Sequence, residues 1–599
     1  MADERDYNEV LDDIFLSEEK QHQKSYEIGF KAGNEAGSPE GFHLGYHRGA
    51  EIGLELGHYL GIVTLHIKRN DDSDSKYSEK IINQLKKVKD LIDSFPRNNS
   101  EEHDILAMAE NIKAHYKKVC ALLKIPSGNP YNSVITYLTP LLPITNCHMV
   151  EFFTQCHWET LVPRPLRQAL DDWEFDDAVQ KFWKVAEGEK LSDNCPLTDW
   201  VRKSRSNCLA VNSDVCISAQ QLRDLIKSWG GEVKPEIRIN EFMTSKKSYE
   251  VETMSSLVAS LHAATGAACC VEAGGGRGAL PVALSLGHHV RSLTVDCDRR
   301  TLAMGAERVK IIQKQWHAVA KRIKDGNEER ISEAIDKGLH RFASAFITKD
   351  TDLCCVVKET YPELRGKDIK LLLTGLHTCG NLGPDSLRIF ATNPTTAAVF
   401  NVPCCYHLLT EQVDEGLFDV FQRDYGGSIG KVEGFPMSER LRGYNLGRNA
   451  RMLAAQSVDR VVHFRQLPPK SLLYRALLQV IIKKHSSELT VSEGKLKGLA
   501  AKCDNFQEYF KKADSILKLR LFDTLPDSYL TEVCADSDCQ WKKLALFYLL
   551  RLCLAQVVES VILLDRFMYL LENGFQNVHL VKLFDPVLSP RCHSIVAVR

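Results

Sequence analysis

A short apolar run, AACCVEA (residues 267 to 273), passes into a glycine-rich turn and then into a helix start, ALPVALSL. That order is what a strand, loop and helix cradling a nucleotide-like ligand requires. Glycine at 274, 276 and 278 lets the backbone turn tightly and approach a ligand without interference from Cβ. The loop ends at a helix N-terminus, where free N–H groups accommodate a carboxylate. Its spacing is Glu272-x-Gly274-x-Gly276-x-Gly278, which differs from the G-x-G-x-x-G of dinucleotide sites. No G-K-[ST] ending follows, which argues against triphosphates. An acid ahead of the first glycine repels a pyrophosphate but attracts a cationic amino group, such as that of S-adenosyl-L-methionine.

A second apolar run, VRSLTVDCD, ends in acids, and Asp296 lies 24 residues beyond Glu272. A carboxylate at such a strand end accepts the hydroxyls of a ribose; Asp296 is the first choice and Asp298 the alternate. The competing reading is a tight turn whose acids only cap helices. RFASAFIT predicts a third strand with Asp350 at its end, placed to meet the amino group of an adenine. KLLLTGL and TTAAVFNV predict two more, ending in HTCGNLG and PCCYHLL. Because open parallel sheets bind ligands beyond the carboxyl ends of their strands, these loops should flank the cofactor. His377 and Tyr406 are the candidates for positioning the methyl acceptor or acting as general base. The expected fold class is α/β, a Rossmann-like S-adenosylmethionine-dependent methyltransferase.

The same placement gathers His377, Cys379, Cys404, Cys405 and His407. Thiolates with imidazole suit zinc, but the usual C-x-x-C spacing is missing, and neighbours such as Cys404 and Cys405 ordinarily point different ways. No metal is therefore expected, and the cysteines are read as small packing residues beneath the cofactor. Nineteen scattered cysteines and an acidic N-terminus without an apolar core fit a reduced, cytoplasmic setting, with the nucleus as an alternative. The net charge of -2 gives no global attraction to nucleic acid. The most apolar stretch, from Leu544, is interrupted by Arg551, Glu559, Asp565 and Arg566, which predicts a buried helix pair and no membrane span.

A length of 599 residues exceeds one hydrophobic core. The expected divisions are a helical module at 1–125, a helical extension at 126–240, and an α/β core at 241–439 and 576–599. A helical insertion at 440–575 precedes a final hairpin formed by LVKLFD and HSIVAVR. Trp158, Trp173, Trp183 and Trp200 are expected in the core of the extension. In the first module a glycine falls at every fourth position from Gly29 to Gly61. On a helix this makes a slowly winding stripe. Each glycine costs about 1 kcal/mol relative to alanine, so close approach of another helix is expected to offset it. Pro39 predicts a break within the register.

YEIGFKAGNEAG, GAEIGLELGHYLG and KAHYKKVCALL resemble the oral-cancer-overexpressed family over residues 8 to 124. That resemblance implies pairing with a second Gly-repeat protein, as an adaptor delivering iron–sulfur clusters to the ribosome-recycling ABC ATPase. MTSKKSYEVE, VEAGGGRG, LLTGLHTCGNL, VPCCYHLL, GFPMS and the C-terminal VESVILLDRFMYLLENGF resemble the methyltransferase-like protein 25 family from about residue 131 onward. The second resemblance implies an S-adenosylmethionine-dependent methyltransferase; the sequence does not specify its acceptor, with a protein or an RNA as the candidates. The Asn/Asp-Pro-Pro-aromatic motif of enzymes that methylate base amino groups is absent, and HTCG stands in its place.

Overall fold

A sheet whose strands run mostly one way must be fed by crossovers on both faces, and residues 130–599 show that arrangement. The computed structural model describes residue 49, residues 52–123 apart from 54, 65, 69, 71–76 and 98–102, and residues 130–599 apart from 193, 210–214, 325–335, 412–433, 486–495 and 535–536. The chain divides into two units, 1–129 and 130–599.

In the first unit, helical residues between 49 and 70 precede helices Glu79–Asp93 and Ile105–Leu123. Leu56, Tyr59 and Val63 bury one face against Leu85, Val88, Ile112, Tyr116 and Val119. The rings of Tyr59 and Tyr116 stack at 3.9 Å. Gly49, Gly53, Gly57 and Gly61 lie on exposed helix, and a Cβ added at any of them meets nothing within 4 Å among the described residues. Among the described residues no helix approaches these four closely, and the apolar stripe that packs is a different one. Gly29 to Gly45 and Pro39 lie outside the described residues.

Among its described residues the second unit holds eight strands: β1 (Cys216–Ser218), β2 (Cys269–Ala273), β3 (Ser292–Asp296), β4 (His340–Ser344), β5 (Leu371–Cys379), β6 (Thr396–Cys404), β7 (Asn577–Lys582) and β8 (His593–Val598). Their spatial order is β1-β7-β8-β6-β5-β2-β3-β4. Only β8 runs antiparallel to its neighbours. The last two strands form the expected hairpin, and β1, unforeseen in the sequence, pairs with its outer edge. The order reverses between β2 and β5, so a cleft at their carboxyl ends is the natural ligand position.

Alternate residues of the strands bury against opposite layers. Cys270, Leu372, Phe400 and Val596 face helices α1 (Ser245–Thr265), α2 (Ala279–Val282) and α3 (Arg299–Lys324). Val271, Leu373, Val399 and Ile595 face α4 (Leu353–Thr360), α5 (Leu382–Thr392) and α6 (Ala555–Glu572). The Thr244 side chain caps α1 by accepting the Lys247 N–H, and Gly266 ends it in the left-handed region. This doubly wound sheet is the Rossmann-like α/β fold expected. The apolar stretch 538–572 is long and apolar enough to cross a membrane, yet 89% of its most apolar window is buried inside the unit.

A third cluster is wholly helical and draws on both the extension and the insertion. Trp158, Phe182, Trp183 and Leu197 pack with Leu477, Ile481, Phe510 and Leu546. The join is held by Asn146, whose Oδ1 accepts the Asn449 and Ala450 N–H groups at 3.1 and 3.4 Å. Gly447, with φ of +82°, has no room for a side chain, since a Cβ would lie 2.2 Å from Asn146 Nδ2. All seven tryptophans fall in the second unit, so their fluorescence reports its unfolding alone. Gly447→Ala should lower that stability by about 1–3 kcal/mol, because strain and displacement of Asn146 add. Gly443 shares the same φ but has open space around it, so Gly443→Ala should cost clearly less. Equal losses in fluorescence-detected urea unfolding would remove Asn146 from the explanation.

Candidate active site

The glycine loop leaves β2 with Gly274, Gly276 and Gly278 at φ of +66°, +55° and +67°, values that side-chain-bearing residues rarely adopt. At Gly274 and Gly278 space forbids a side chain as well. A Cβ at Gly274 would lie 2.6 Å from Leu382, and one at Gly278 would lie 2.9 Å from Thr294 Oγ1 and from the His340 ring. Gly275, which the spacing did not single out, is limited in the same way. Its Cβ would fall 2.4 Å from Glu272 Oε2, so the Glu272 carboxylate lies directly beneath the loop.

Glu272 is 2% exposed, and its Oε2 is buried without a hydrogen-bond partner. Burial pushes its carboxyl up to about 8, with Asp296 adding to the shift and Lys247 and Arg308 opposing it. Burial likewise pushes the Lys247 ammonium down. Glu272 pairs in register with Thr294, so Asp296, two residues on, shares its face of the sheet. Asp296 Oδ2 accepts the Gly276 N–H at 3.0 Å and Oδ1 accepts the Asp298 N–H at 2.9 Å. Asp298 is used differently: it caps α3 by accepting the Arg300 N–H at 3.0 Å and the Thr301 hydroxyl at 2.5 Å. Glu272, Gly274, Gly276, Gly278 and Asp296 are thus brought together.

Asp350 is not among them. β4 stops at Ser344, six residues short of it, and Asp350 is exposed in a hollow with Lys349, Arg388, Thr392 and Tyr569. Phe346, which no sequence motif marks, stands two residues past the end of β4 and is 76% exposed. Next to it, Ala345 donates its N–H to the Asp296 carbonyl at 3.1 Å.

His377 sits at a bulge in β5 with φ of +75°. Its Nε2 lies 2.9 Å from Glu250 Oε2, and Glu250 Oε1 accepts the Ser589 hydroxyl at 2.6 Å. Burial would raise the Glu250 carboxyl, but the bond and charge of His377, the Ser589 hydroxyl and Lys246 hold it at about 2. A permanent carboxylate therefore fixes the imidazole and leaves its other nitrogen to act. Glu250 and Ser589 lie 127 and 212 residues from His377 in the chain, and no local pattern announces them.

Tyr406 does not join this group. Its side chain is fully buried, its hydroxyl donates to Glu559 Oε1 at 2.8 Å, and Glu559 in turn lies 3.4 Å from His593 Nδ1. The expectation that it faces an acceptor is corrected: its one polar atom is used inside the fold. The expectation that Cys404 and Cys405 diverge is corrected too. Cys405 is left-handed, with φ of +49°, and both sulfurs turn toward Cys379, at 3.1 Å for Cys404 and 3.4 Å for Cys405.

Residues 246–412 match the family model described as a methyltransferase domain. The chain carries a methyltransferase domain. It is 26% identical to human "Probable methyltransferase-like protein 25" over 597 residues, covering 78% of this chain and 96% of the human protein. The mouse protein of that name is 26% identical over 588 residues, covering 78% and 95%. No solved structure matches the chain. The match to the domain spans the glycine loop, Asp296, His377 and the cysteines.

The Glu272 shift has a measurable sign. The native state keeps this proton to about pH 8, whereas an unfolded glutamate releases it near pH 4.3. Between those values the unfolded chain binds fewer protons, so stability falls as pH rises. Glu272→Gln should flatten the decline of thermal stability between pH 5 and about 8 and make the variant the more stable form above it. Parallel pH profiles for the two proteins would mean that Glu272 is ionised and paired instead.

Proposed function

We propose that the second unit is an S-adenosyl-L-methionine-dependent methyltransferase whose acceptor is a protein or an RNA. The observation that carries this reading is the unpartnered Glu272 carboxylate beneath three left-handed glycines, with Asp296 on the same face. A buried acid with no donor is costly, and a ligand ammonium supplies the donor and charge it lacks. Glu272 would hold the amino group, and Gly274, Gly276 and Gly278 would let the backbone approach. Asp296 would hold the ribose hydroxyls, and Phe346 offers a face for the adenine in place of Asp350. When bound, the cofactor supplies an electrophilic methyl group on a sulfonium. His377, oriented by Glu250, would take the proton of the acceptor.

Calorimetric titration of the full chain with S-adenosylmethionine should show one site. Asp296→Ala should weaken binding at least tenfold, or about 1.4 kcal/mol, and Phe346→Ala by a smaller factor. His377→Ala should bind normally but fail in a tritium-transfer assay on cell extract. No binding by the unmodified chain overturns the reading. Binding without transfer under any extract makes the protein a cofactor-dependent scaffold.

For the first unit we propose an adaptor role, with a second Gly-repeat protein and the ribosome-recycling ABC ATPase as partners. Its support is the exposed stripe Gly49, Gly53, Gly57 and Gly61, over which an approaching helix meets no side chain. Affinity capture with the full chain should recover a Gly-repeat partner, and Gly53→Leu with Gly57→Leu should abolish that recovery. Capture that is unchanged by the double substitution removes the stripe from the interface.

A further inference from the structure

Three thiols converge where β5 and β6 end. Cys379 and Cys404 are paired across the two strands, and the Sγ separations are 3.1 Å (Cys379–Cys404), 3.4 Å (Cys379–Cys405) and 3.7 Å (Cys404–Cys405). Successive strand residues point to opposite faces, so this grouping needs special backbone. It has it on both sides: a bulge with a left-handed residue at His377, and a left-handed residue at Cys405. Each such conformation costs on the order of 1–3 kcal/mol and persists only where its surroundings over-determine it. Packing of small residues does not call for two of them aimed at one point.

We propose that Cys379, Cys404 and Cys405 bind one thiophilic metal ion, zinc in the first instance, with a fourth coordination position open to solvent. The spacing suits it. A Zn–S bond of about 2.3 Å sets tetrahedral sulfurs about 3.8 Å apart, so the widest pair already fits and the others need side-chain shifts of well under 1 Å. A disulfide would need about 2.05 Å between two of the three, and would leave the third without a role. Cys404 is buried, Cys405 half-buried and Cys379 exposed, so the site is closed beneath and open above. Three protein ligands with an open fourth position is the pattern of a site that takes water or a substrate donor. The ligand atoms that lie within 4.8 Å of one another are the three sulfurs, and the His377 imidazole is not among them.

The charges around the site fit as well. A divalent ion on three thiolates releases the thiol protons and carries a net charge of -1. Arg566 is 1% exposed, and none of its three guanidinium nitrogens has a hydrogen-bond partner. An uncompensated buried charge costs several kcal/mol. Arg566 lies near enough to Cys404 for their charges to interact, and Arg591 does the same for Cys379 and Cys405. An anionic thiolate centre places negative charge beside Arg566, whose guanidinium nitrogens have no hydrogen-bond partner, and beside Arg591.

The test does not depend on the cofactor. Full-length protein grown with zinc and purified without chelator should contain one zinc per chain by plasma mass spectrometry. The metal-free protein titrated with Co²⁺ should develop the visible d–d bands and near-ultraviolet charge-transfer band of tetrahedral thiolate cobalt. Cys379→Ser, Cys404→Ser and Cys405→Ser should each lose the metal and those bands, while Cys297→Ser and Cys355→Ser, at exposed sites elsewhere, keep them. Tryptophan fluorescence confirms that each variant is folded. A metal-free chain that takes up neither Zn²⁺ nor Co²⁺ overturns the proposal, as does metal retained by the three variants. So does a disulfide within the trio in alkylated, unreduced peptides. Any of these results leaves S-adenosylmethionine binding untouched, so the two readings fail separately.

Discussion

Parallel pairing of β2 with β3 on one side and β5 on the other fixes what can happen at the strand ends. Register sets Glu272 between Thr294 and Thr374, so three neighbouring strands present their polar residues on one face. The reversal of strand order at the same place opens the cleft into which the glycine loop turns. Slipping β2 by one residue would send Glu272 to the opposite layer, beside Leu373 and Val399, where a carboxylate has nothing to meet. The same pairing ties the loop itself, because Gly274 donates to the Val295 carbonyl at 2.9 Å and Gly276 to Asp296. Loop and acid are therefore one construction.

Buried carboxylates separate architecture from function here. Glu411 meets Arg451 at 2.9 Å, and Asp565 accepts the Met437 and Ser438 N–H groups and the Ser438 hydroxyl. Glu559 takes the Tyr406 hydroxyl, and Glu250 takes His377 and Ser589. Each of those four is satisfied from within the fold, as buried charges must be. Glu272 is the exception among the five, and it is the one beneath the glycine loop. Among these five buried acids, the unpaired one lies beneath the glycine loop, which is what a fold looks like when the missing partner comes from outside.

The parts legible in the sequence were those written in adjacent residues. The run from Cys269 to Asp296 carries strand, turn, helix and strand within 28 residues, and each has its own signal in apolar runs and glycine spacing. Asp350 failed because its role depended on where β4 stops, and strand ends are poorly marked when alternating residues continue past them, as in Ala345 to Thr348. Tyr406 failed because the residue that takes its hydroxyl, Glu559, lies 153 positions away. Ordinary strand alternation predicts that Cys404 and Cys405 diverge, and a left-handed cysteine has no sequence mark. The glycine stripe was seen, but its period of four drifts about 40° per step around a helix, so it does not coincide with the face that Leu56, Tyr59 and Val63 bury.

The loop that follows β6 shows how such strained backbone survives. Arg451 donates to the carbonyls of Tyr406 and Leu409 at 3.1 and 2.5 Å while its Nε meets Glu411. Glu411 also accepts the Leu446 and Gly447 N–H groups, and Gly447 abuts Asn146 at the head of the helical layer. Below the loop, Tyr406 is anchored through Glu559 to His593 of β8. The turn that carries Cys404 and Cys405 is thus clamped from the helical layer on one side and from the sheet on the other. Breaking a buried pair such as Arg451–Glu411 costs about 3–5 kcal/mol, more than a left-handed cysteine demands. The helical extension and insertion therefore do more than enlarge the core, because their interlock holds the carboxyl ends of β5 and β6 in a geometry that an open sheet alone would not keep.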